Sequence, residues 1–324
     1  MKILVTGANG FVGKELCERA LALGIDVIGV CRKPIQHNFF KVKNGSNFEL
    51  LTNIELSEEF DLGNKLSDVD VVIHTASIVH SELENENSIF YDSSIYKSVN
   101  VNGTFRLASK SLIAGVKRFI YISSVKVYGD FSNKDSVFTS ETQSNPTDYY
   151  GLSKHHAENE IKKLCSNSKM DYVIIRPPLI YGKGAKGNFK KIIKLLNCNL
   201  PLPLGSINNL RSFISIDNLV DVILHCTVKN QASRQILLVS DGDDISTSEF
   251  IIRIAYAMNK KIFLFKVPIS ILSLVIKIVK NNNNYSRLFS YLQVDTTNTQ
   301  KLLNWSPPFT MEQSLKKTFK DLND

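Results

Sequence analysis

Lys2-Ile3-Leu4-Val5-Thr6-Gly7-Ala8-Asn9-Gly10-Phe11-Val12-Gly13 is the stretch that decides how this chain of 324 residues is read. A short apolar run, Lys2–Thr6, leads into three glycines spaced GxxGxxG, and a helix-compatible stretch, Gly13–Leu23, follows. Glycines at that spacing are weak evidence alone, but between a strand and a helix they form a phosphate-binding turn. Gly7 permits the tight turn, Gly10 admits a pyrophosphate close to the backbone, and Gly13 lets helix and strand pack closely. Asn9, Phe11 and Val12 complete the turn, where free N–H groups and the positive end of the helix dipole face an anion.

Outward from this turn, strand-like and helix-like stretches alternate. Strands are expected at Lys2–Thr6, Asp26–Cys31, Asp70–Thr75, Arg118–Ser123 and Tyr172–Arg176, with helices at Gly13–Leu23, Ser94–Ala114 and Tyr149–Leu164. Gly24 and Gly115 stand where helix C-caps are expected. Such alternation predicts an α/β chain with a Rossmann-type, doubly wound parallel sheet. Residues 34–66 lack clean periodicity. After Arg176 the pattern changes, with Pro177, Pro178, Pro201 and Pro203 punctuating short segments. The expected organisation is therefore a dinucleotide-binding domain over residues 1–176. A smaller C-terminal substrate-binding lobe over 177–324 would be partly interleaved with the sheet.

Composition narrows the class. A hydrophobic share of 43% with 22% charged residues is that of a globular protein with ample core. No signal peptide pattern precedes the first strand, and a cytoplasmic protein is expected. Cys17, Cys31, Cys165, Cys198 and Cys226 are scattered without CxxC spacing, which predicts reduced thiols and no metal site. The net charge of +8 suits an anionic small-molecule partner. No basic run is interleaved with aromatics, so nucleic acid is not expected as a partner.

Cofactor choice turns on the end of the second strand. A carboxylate there binds the ribose 2′-hydroxyl of NAD, whereas a cation tolerates the 2′-phosphate of NADP. The chain reads Val30-Cys31-Arg32-Lys33, so Arg32 and Lys33 favour NADP, with NAD as the alternative. Chemistry is expected at Tyr150-Gly-Leu-Ser-Lys154, where positions i and i+4 share a helix face. A free tyrosine titrates near about 10, and a neighbouring cation favours phenolate. A second YxxxK, Tyr256–Lys260, falls in the C-terminal lobe without a serine upstream, and Tyr256 is read as a core residue. Ser124, at the end of the strand Phe119-Ile-Tyr-Ile-Ser-Ser124, sits where such folds bind ligands and can orient a reacting oxygen. Ser123 is its stand-in.

Taken in order, these segments resemble the extended short-chain dehydrogenase/reductases, in their NAD(P)-dependent epimerase/dehydratase branch. The resemblance spans nearly the whole chain. It includes Gly7/Gly10/Gly13, Val72-Ile-His-Thr-Ala76, Asn100-Val-Asn-Gly-Thr104, Ser123–Gly129, Tyr150/Lys154, and Arg176-Pro-Pro178 with Tyr181-Gly182. It implies a catalytic set of Ser124, Tyr150 and Lys154, with Asn100 supporting the active-site helix. It implies cofactor contacts from Ala76, Asn100, Tyr150, Lys154 and Pro177, with Asn188 and Arg211 on the diphosphate of a nucleotide sugar. A guanidinium suits a diphosphate, and the alternative for Arg211 is a structural ion pair with Asp217. The chain departs from the family's usual acidic residue after the second strand and from a common aspartate after the third, where it reads Leu51-Thr-Asn-Ile54.

The implied reaction occurs at sugar C4 in surface-polysaccharide synthesis. Val125-Lys126 follows Ser124 where the family's 4,6-dehydratases carry Asp-Glu, which disfavours dehydration. Reduction of a UDP-4-keto-6-deoxy-N-acetylhexosamine by NADPH is favoured by Arg32-Lys33. The alternative is a UDP-hexose or UDP-N-acetylhexosamine 4-epimerase using bound NAD. The apolar stretch 268–279 is too short to span a bilayer. It reads as a buried helix or as a peripheral membrane contact that would admit a lipid-diphosphate-linked sugar. A non-catalytic dinucleotide sensor is the remaining alternative, and a homodimer through the helices 94–114 and 149–164 is implied by the resemblance.

Overall fold

The structure is a computed structural model describing residues 1–35, 40, 47–57, 59–79, 93–134, 136–272 and 289–323. The opening run forms β1 (Lys2–Thr6) and the glycine turn leads into α1 (Phe11–Ala22). Then follow β2 (Asp26–Val30), β3 (Phe48–Leu51) and β4 (Val71–His74). Next come α2 (Ser93–Tyr96), a π-helical turn (Lys97–Gly103) and α3 (Thr104–Ile113). The core half closes with β5 (Arg118–Ile122), α4 (Tyr149–Cys165) and β6 (Asp171–Arg176). All pairings in the seven-stranded sheet are parallel, in the order β3-β2-β1-β4-β5-β6-β9, where β9 is Gln235–Leu238. The order reverses direction between β1 and β4, which places the ligand crevice at their carboxyl ends.

The sheet forms because its strands are buried on both faces. Ile3, Val5, Ile73 and Ile120 pack with Leu16, Cys17 and Ala20 of α1 and with Leu219, Val220 and Ile223 of the helix Ile216–Val228. Leu4, Val72, Phe119 and Ile174 face the other way, against Leu107 and Ala108 of α3 and Ala157 and Ile161 of α4. Continuous apolar runs are what a doubly covered parallel sheet requires. β3 was not foreseen, since its residues are only half-buried at the sheet edge and leave no strong pattern.

The C-terminal part holds a pair of short parallel strands, β7 (Leu179–Tyr181) and β8 (Phe213–Ser215). Around them lie α5 (Asn188–Asn197), α6 (Ile216–Val228), α7 (Thr247–Ala257), α8 (Thr297–Leu303) and α9 (Met311–Asn323). Phe189, Phe213, Phe250, Ile254, Leu315 and Phe319 make a separate core, with Phe213 stacked on Phe250 at 4.1 Å between ring centres. The seventh strand, α6, Leu303 and Trp305 nevertheless belong to the packing of the sheet. Of the stretch 268–279, Ile269 and Ile271 are exposed and Leu272 is buried, while residues 273–279 lie outside the described residues.

Candidate active site

The phosphate turn closes on itself through Gly10 N–H donating to the Gly7 carbonyl at 2.8 Å. A Cβ on Gly13 would come within 2.2 Å of the Gly7 oxygen, so only glycine lets the helix start this near the strand. Gly7 has φ +69 and its own Cβ would press on the Ala76 backbone at 2.9 Å. No side chain caps α1 at Gly10, which leaves its first N–H groups for a ligand. The cradle therefore fits a dinucleotide pyrophosphate. Beside it opens a groove lined by Thr6, Gly7, Arg32, Glu55, Ala76 and Val99. Arg32 and Lys33 are both exposed, and Arg32 lies 4.0 Å from the Glu55 carboxylate. Glu55 was not anticipated, because it follows a strand that left no clear signal.

The active-site helix begins at Asp148, whose Oδ1 accepts from Gly151 N–H at 2.7 Å and whose Oδ2 accepts from Lys126 Nζ at 2.6 Å. Tyr150 lies in the first turn of α4, half-buried against Ile78, Tyr96 and Val99. Lys154 is only 2% exposed; its Nζ donates to the Ile122 carbonyl at 2.8 Å and lies 5.8 Å from the centre of the Tyr150 ring. The i,i+4 spacing thus brings both groups to one face. Burial, and next the Asp148 carboxylate, push the Tyr150 phenol above the ordinary tyrosine range, with the hydroxyls of Ser77 and Ser124 acting the other way. Burial lowers Lys154 to about 7, opposed by Glu158. The expectation that the neighbouring Lys154 cation brings Tyr150 towards phenolate is corrected by these shifts, which burial dominates. Desolvation disfavours both charged forms, and a lysine that is itself part-neutral at pH 7 gives the phenolate little help.

Ser124 opens a short 3-10 turn, Val125–Tyr128, where its Oγ accepts from Lys126 N–H at 3.2 Å. Ser123 faces away, donating to the buried Glu158 carboxylate at 2.5 Å, which leaves Ser124 as the serine on the crevice side. Pro177 enters through its carbonyl, which accepts from Val125 N–H at 3.1 Å.

Asn100 sits in the π-helical turn and is buried. Its Oδ1 accepts from Ile78 N–H at 2.9 Å, and its Nδ2 donates to the Ile78 carbonyl at 3.1 Å and to Ser153 Oγ at 3.0 Å. One side chain therefore ties the strand-end loop carrying Ser77 to the helix carrying Lys154. A π-bulge at this position is a frequent mark of a functional site. Beneath it, His74 bridges Thr6 Oγ1 at 2.6 Å and Thr104 Oγ1 at 2.8 Å. Thr104 donates onward to the Asn100 carbonyl, so it accepts from His74 Nε2–H, and Nδ1 accepts from Thr6. Burial lowers His74 to about 3 and keeps it neutral.

Other expected residues are placed as follows. Asn188 is the first residue of α5 and is exposed, after Gly187 at φ +64. Arg211 is half-buried, with Nη1 donating to the Ser290 carbonyl at 2.9 Å. Asp217, its alternative partner, is paired with Lys317. Tyr256 is 74% exposed, so its reading as a core residue is corrected: on α7 the lobe's core takes Phe250, Ile251, Ile254 and Ala255 instead. Its Lys260 lies beyond the end of that helix and donates to Asn199. All five cysteines are free thiols. Among the described residues no group of three or more His, Cys, Asp or Glu could hold a metal, and no helix is long and apolar enough to cross a membrane.

A Rossmann sheet with a strand-end serine facing a tyrosine–lysine helix defines a nicotinamide-dependent enzyme of oxidoreductase type. The model of the NAD dependent epimerase/dehydratase family matches residues 3–239, and the chain belongs to that family. It is 39% identical over 317 residues, 98% of this chain and 94% of the relative, to a UDP-glucose 4-epimerase of Vibrio cholerae. It is 26% identical over 82% of its length to an N-acetyl-alpha-D-glucosaminyl-diphospho-ditrans,octacis-undecaprenol 4-epimerase of Escherichia coli O157:H7, covering 75% of that protein. The structure of a UDP-glucuronic acid 4-epimerase from Bacillus cereus in complex with NAD superposes over 100% of both chains, with a TM-score of 0.78 at 23% identity, a likeness of fold.

Proposed function

We propose that this chain is a UDP-hexose or UDP-N-acetylhexosamine 4-epimerase that works with a retained NAD. The observation that carries the reading is the 39% identity to a UDP-glucose 4-epimerase over nearly the whole of both chains. It displaces the reduction of a 4-keto sugar by NADPH as the leading assignment. NAD is favoured over NADP because Glu55 shares the charge of Arg32 and would face a 2′-phosphate as a like charge. When bound, the nicotinamide accepts a hydride from the sugar and gives it back.

In this reading the turn Gly7–Gly13 holds the pyrophosphate, while Ala76, Asn100, Lys154 and Pro177 shape the nicotinamide side. Tyr150 acts through its phenolate form, taking the proton of the sugar 4-hydroxyl and later returning it to the same oxygen, while Ser124 orients that oxygen. Asn188 and Arg211 approach the substrate diphosphate from the lobe over 177–324. The exposed side chains Ile95, Phe105, Ile113 and Leu152 on the helices of the two flanking stretches support a homodimer through them.

The test is to incubate the purified protein with UDP-galactose and UDP-N-acetylgalactosamine, adding no cofactor, and to follow the sugars by proton NMR. The expected result is interconversion of the C4 epimers, with NAD released on denaturation. Oxidation of added NADPH by a 4-keto sugar, without any epimerisation, would overturn the proposal in favour of the reductase.

A further inference from the structure

Glu158 stands one helical turn beyond Lys154 on α4 and is fully buried. Its Oε1 accepts from Ser123 Oγ at 2.5 Å and from Arg176 Nε at 2.9 Å, and its Oε2 pairs with Arg176 Nη2. Ser123 lies between Ile122, whose carbonyl accepts from Lys154, and Ser124. Arg176 immediately precedes Pro177 and lies over the Tyr128 ring, 4.6 Å from its centre. One carboxylate therefore joins the end of β5, the end of β6 and the active-site helix at the point where Ser124, Lys154 and Pro177 emerge.

A fully buried ion pair is weak evidence for a stabilising role, because desolvation offsets the attraction. Its position suggests another use. We propose that Glu158 is a positioning residue that fixes the Ile122–Ser124 strand end against the helix and raises the share of Lys154 in its ammonium form. The proposal rests on the assignment of Tyr150 and Lys154 as the reacting pair. Among the described residues, four groups face Lys154. They are the Tyr121 ring at 4.6 Å from β5, His74 on β4, and Tyr150 and Glu158 on its own helix. His74 is held neutral and both phenols are driven towards their protonated forms by burial. The carboxylate is thus the charged group among them that favours an ammonium, with Arg176 on its far side.

Lys154 titrates directly in an NMR experiment on protein carrying 13Cε-lysine, its signal assigned by its loss in Lys154→Arg. In Glu158→Gln, which retains the shape of the side chain and one acceptor oxygen for Ser123 and Arg176 Nε while setting an NH2 donor against Arg176 Nη2, the Lys154 midpoint should fall by about one pH unit. The alkaline limb of the kcat profile should move the same way, with KM for the UDP-sugar and NAD content unchanged. Glu158→Asp should restore part of the shift. Because Glu158→Gln leaves Arg176 buried without a counter-charge, Glu158→Gln with Arg176→Met provides a second variant in which both charges are gone. A wild-type Lys154 midpoint in folded Glu158→Gln overturns the proposal, as does a double variant whose midpoint equals that of Arg176→Met alone, the comparison that removes the effect of the lost guanidinium. The titration needs no substrate, so failure of the epimerase assignment would show separately, as absence of turnover in the wild-type protein.

Discussion

The chain carries YxxxK twice, and the two copies have opposite fates. Tyr150 and Lys154 start a helix docked at the carboxyl ends of β4 and β5, where Lys154 is buried and Tyr150 faces Ser77 and Ser124. Tyr256 is on the outer face of α7, 74% exposed, and Lys260 has left the helix altogether. Spacing alone therefore specifies only which residues can share a helix face. Chemistry arises where the sheet's switch point removes water from that face and sets hydroxyls opposite it.

The largest effect should separate the two tyrosines. Tyr150→Phe should lower kcat by about 10²- to 10⁴-fold while NAD stays bound, and Tyr256→Phe should leave kcat unchanged. Epimerisation followed by NMR decides this, and equal loss in both variants would erase the distinction.

The lysines should separate next, in stability as well as rate. Lys154→Met should lower turnover by about a hundredfold and Lys260→Met should not. Lys154 has a folded pKa of about 7, below the unfolded value of about 10.4. Between those two values the unfolded chain holds a proton that the folded chain lacks, so wild-type stability rises with pH across that window. Below about pH 7 the buried ammonium is a full burden, and the Lys154→Met apoprotein should melt higher than wild type. That gap should narrow steadily towards pH 10. Thermal melts at pH 6 to 10 test the sign, and a gap that widens with pH would contradict it.

The smallest effect concerns Arg32, another residue whose meaning depends on its neighbour. Glu55→Gln should free Arg32 and narrow the preference for NAD over NADP by roughly tenfold, worth about 1.4 kcal/mol. Fluorescence titration with NADH and NADPH reads this without substrate. No change would remove Glu55 from cofactor choice.

The sequence by itself determined the parallel sheet, the glycine turn and the Tyr150/Lys154 helix. Each of these rests on local periodicity, on a steric demand for glycine, or on the i,i+4 geometry of one helix. The tertiary structure alone decided the rest. β3 lies half-buried at the sheet edge, and the seventh strand returns from residues 235–238 across a long stretch of chain. Ser77, His74, Glu55 and Glu158 acquire their roles from partners distant in sequence: Asn100 and Tyr150, Thr6 and Thr104, Arg32, and Ser123 with Arg176. The direction of the Tyr150 and Lys154 shifts was set the same way. A motif states which groups are neighbours along a helix, whereas desolvation depends on everything that packs around them.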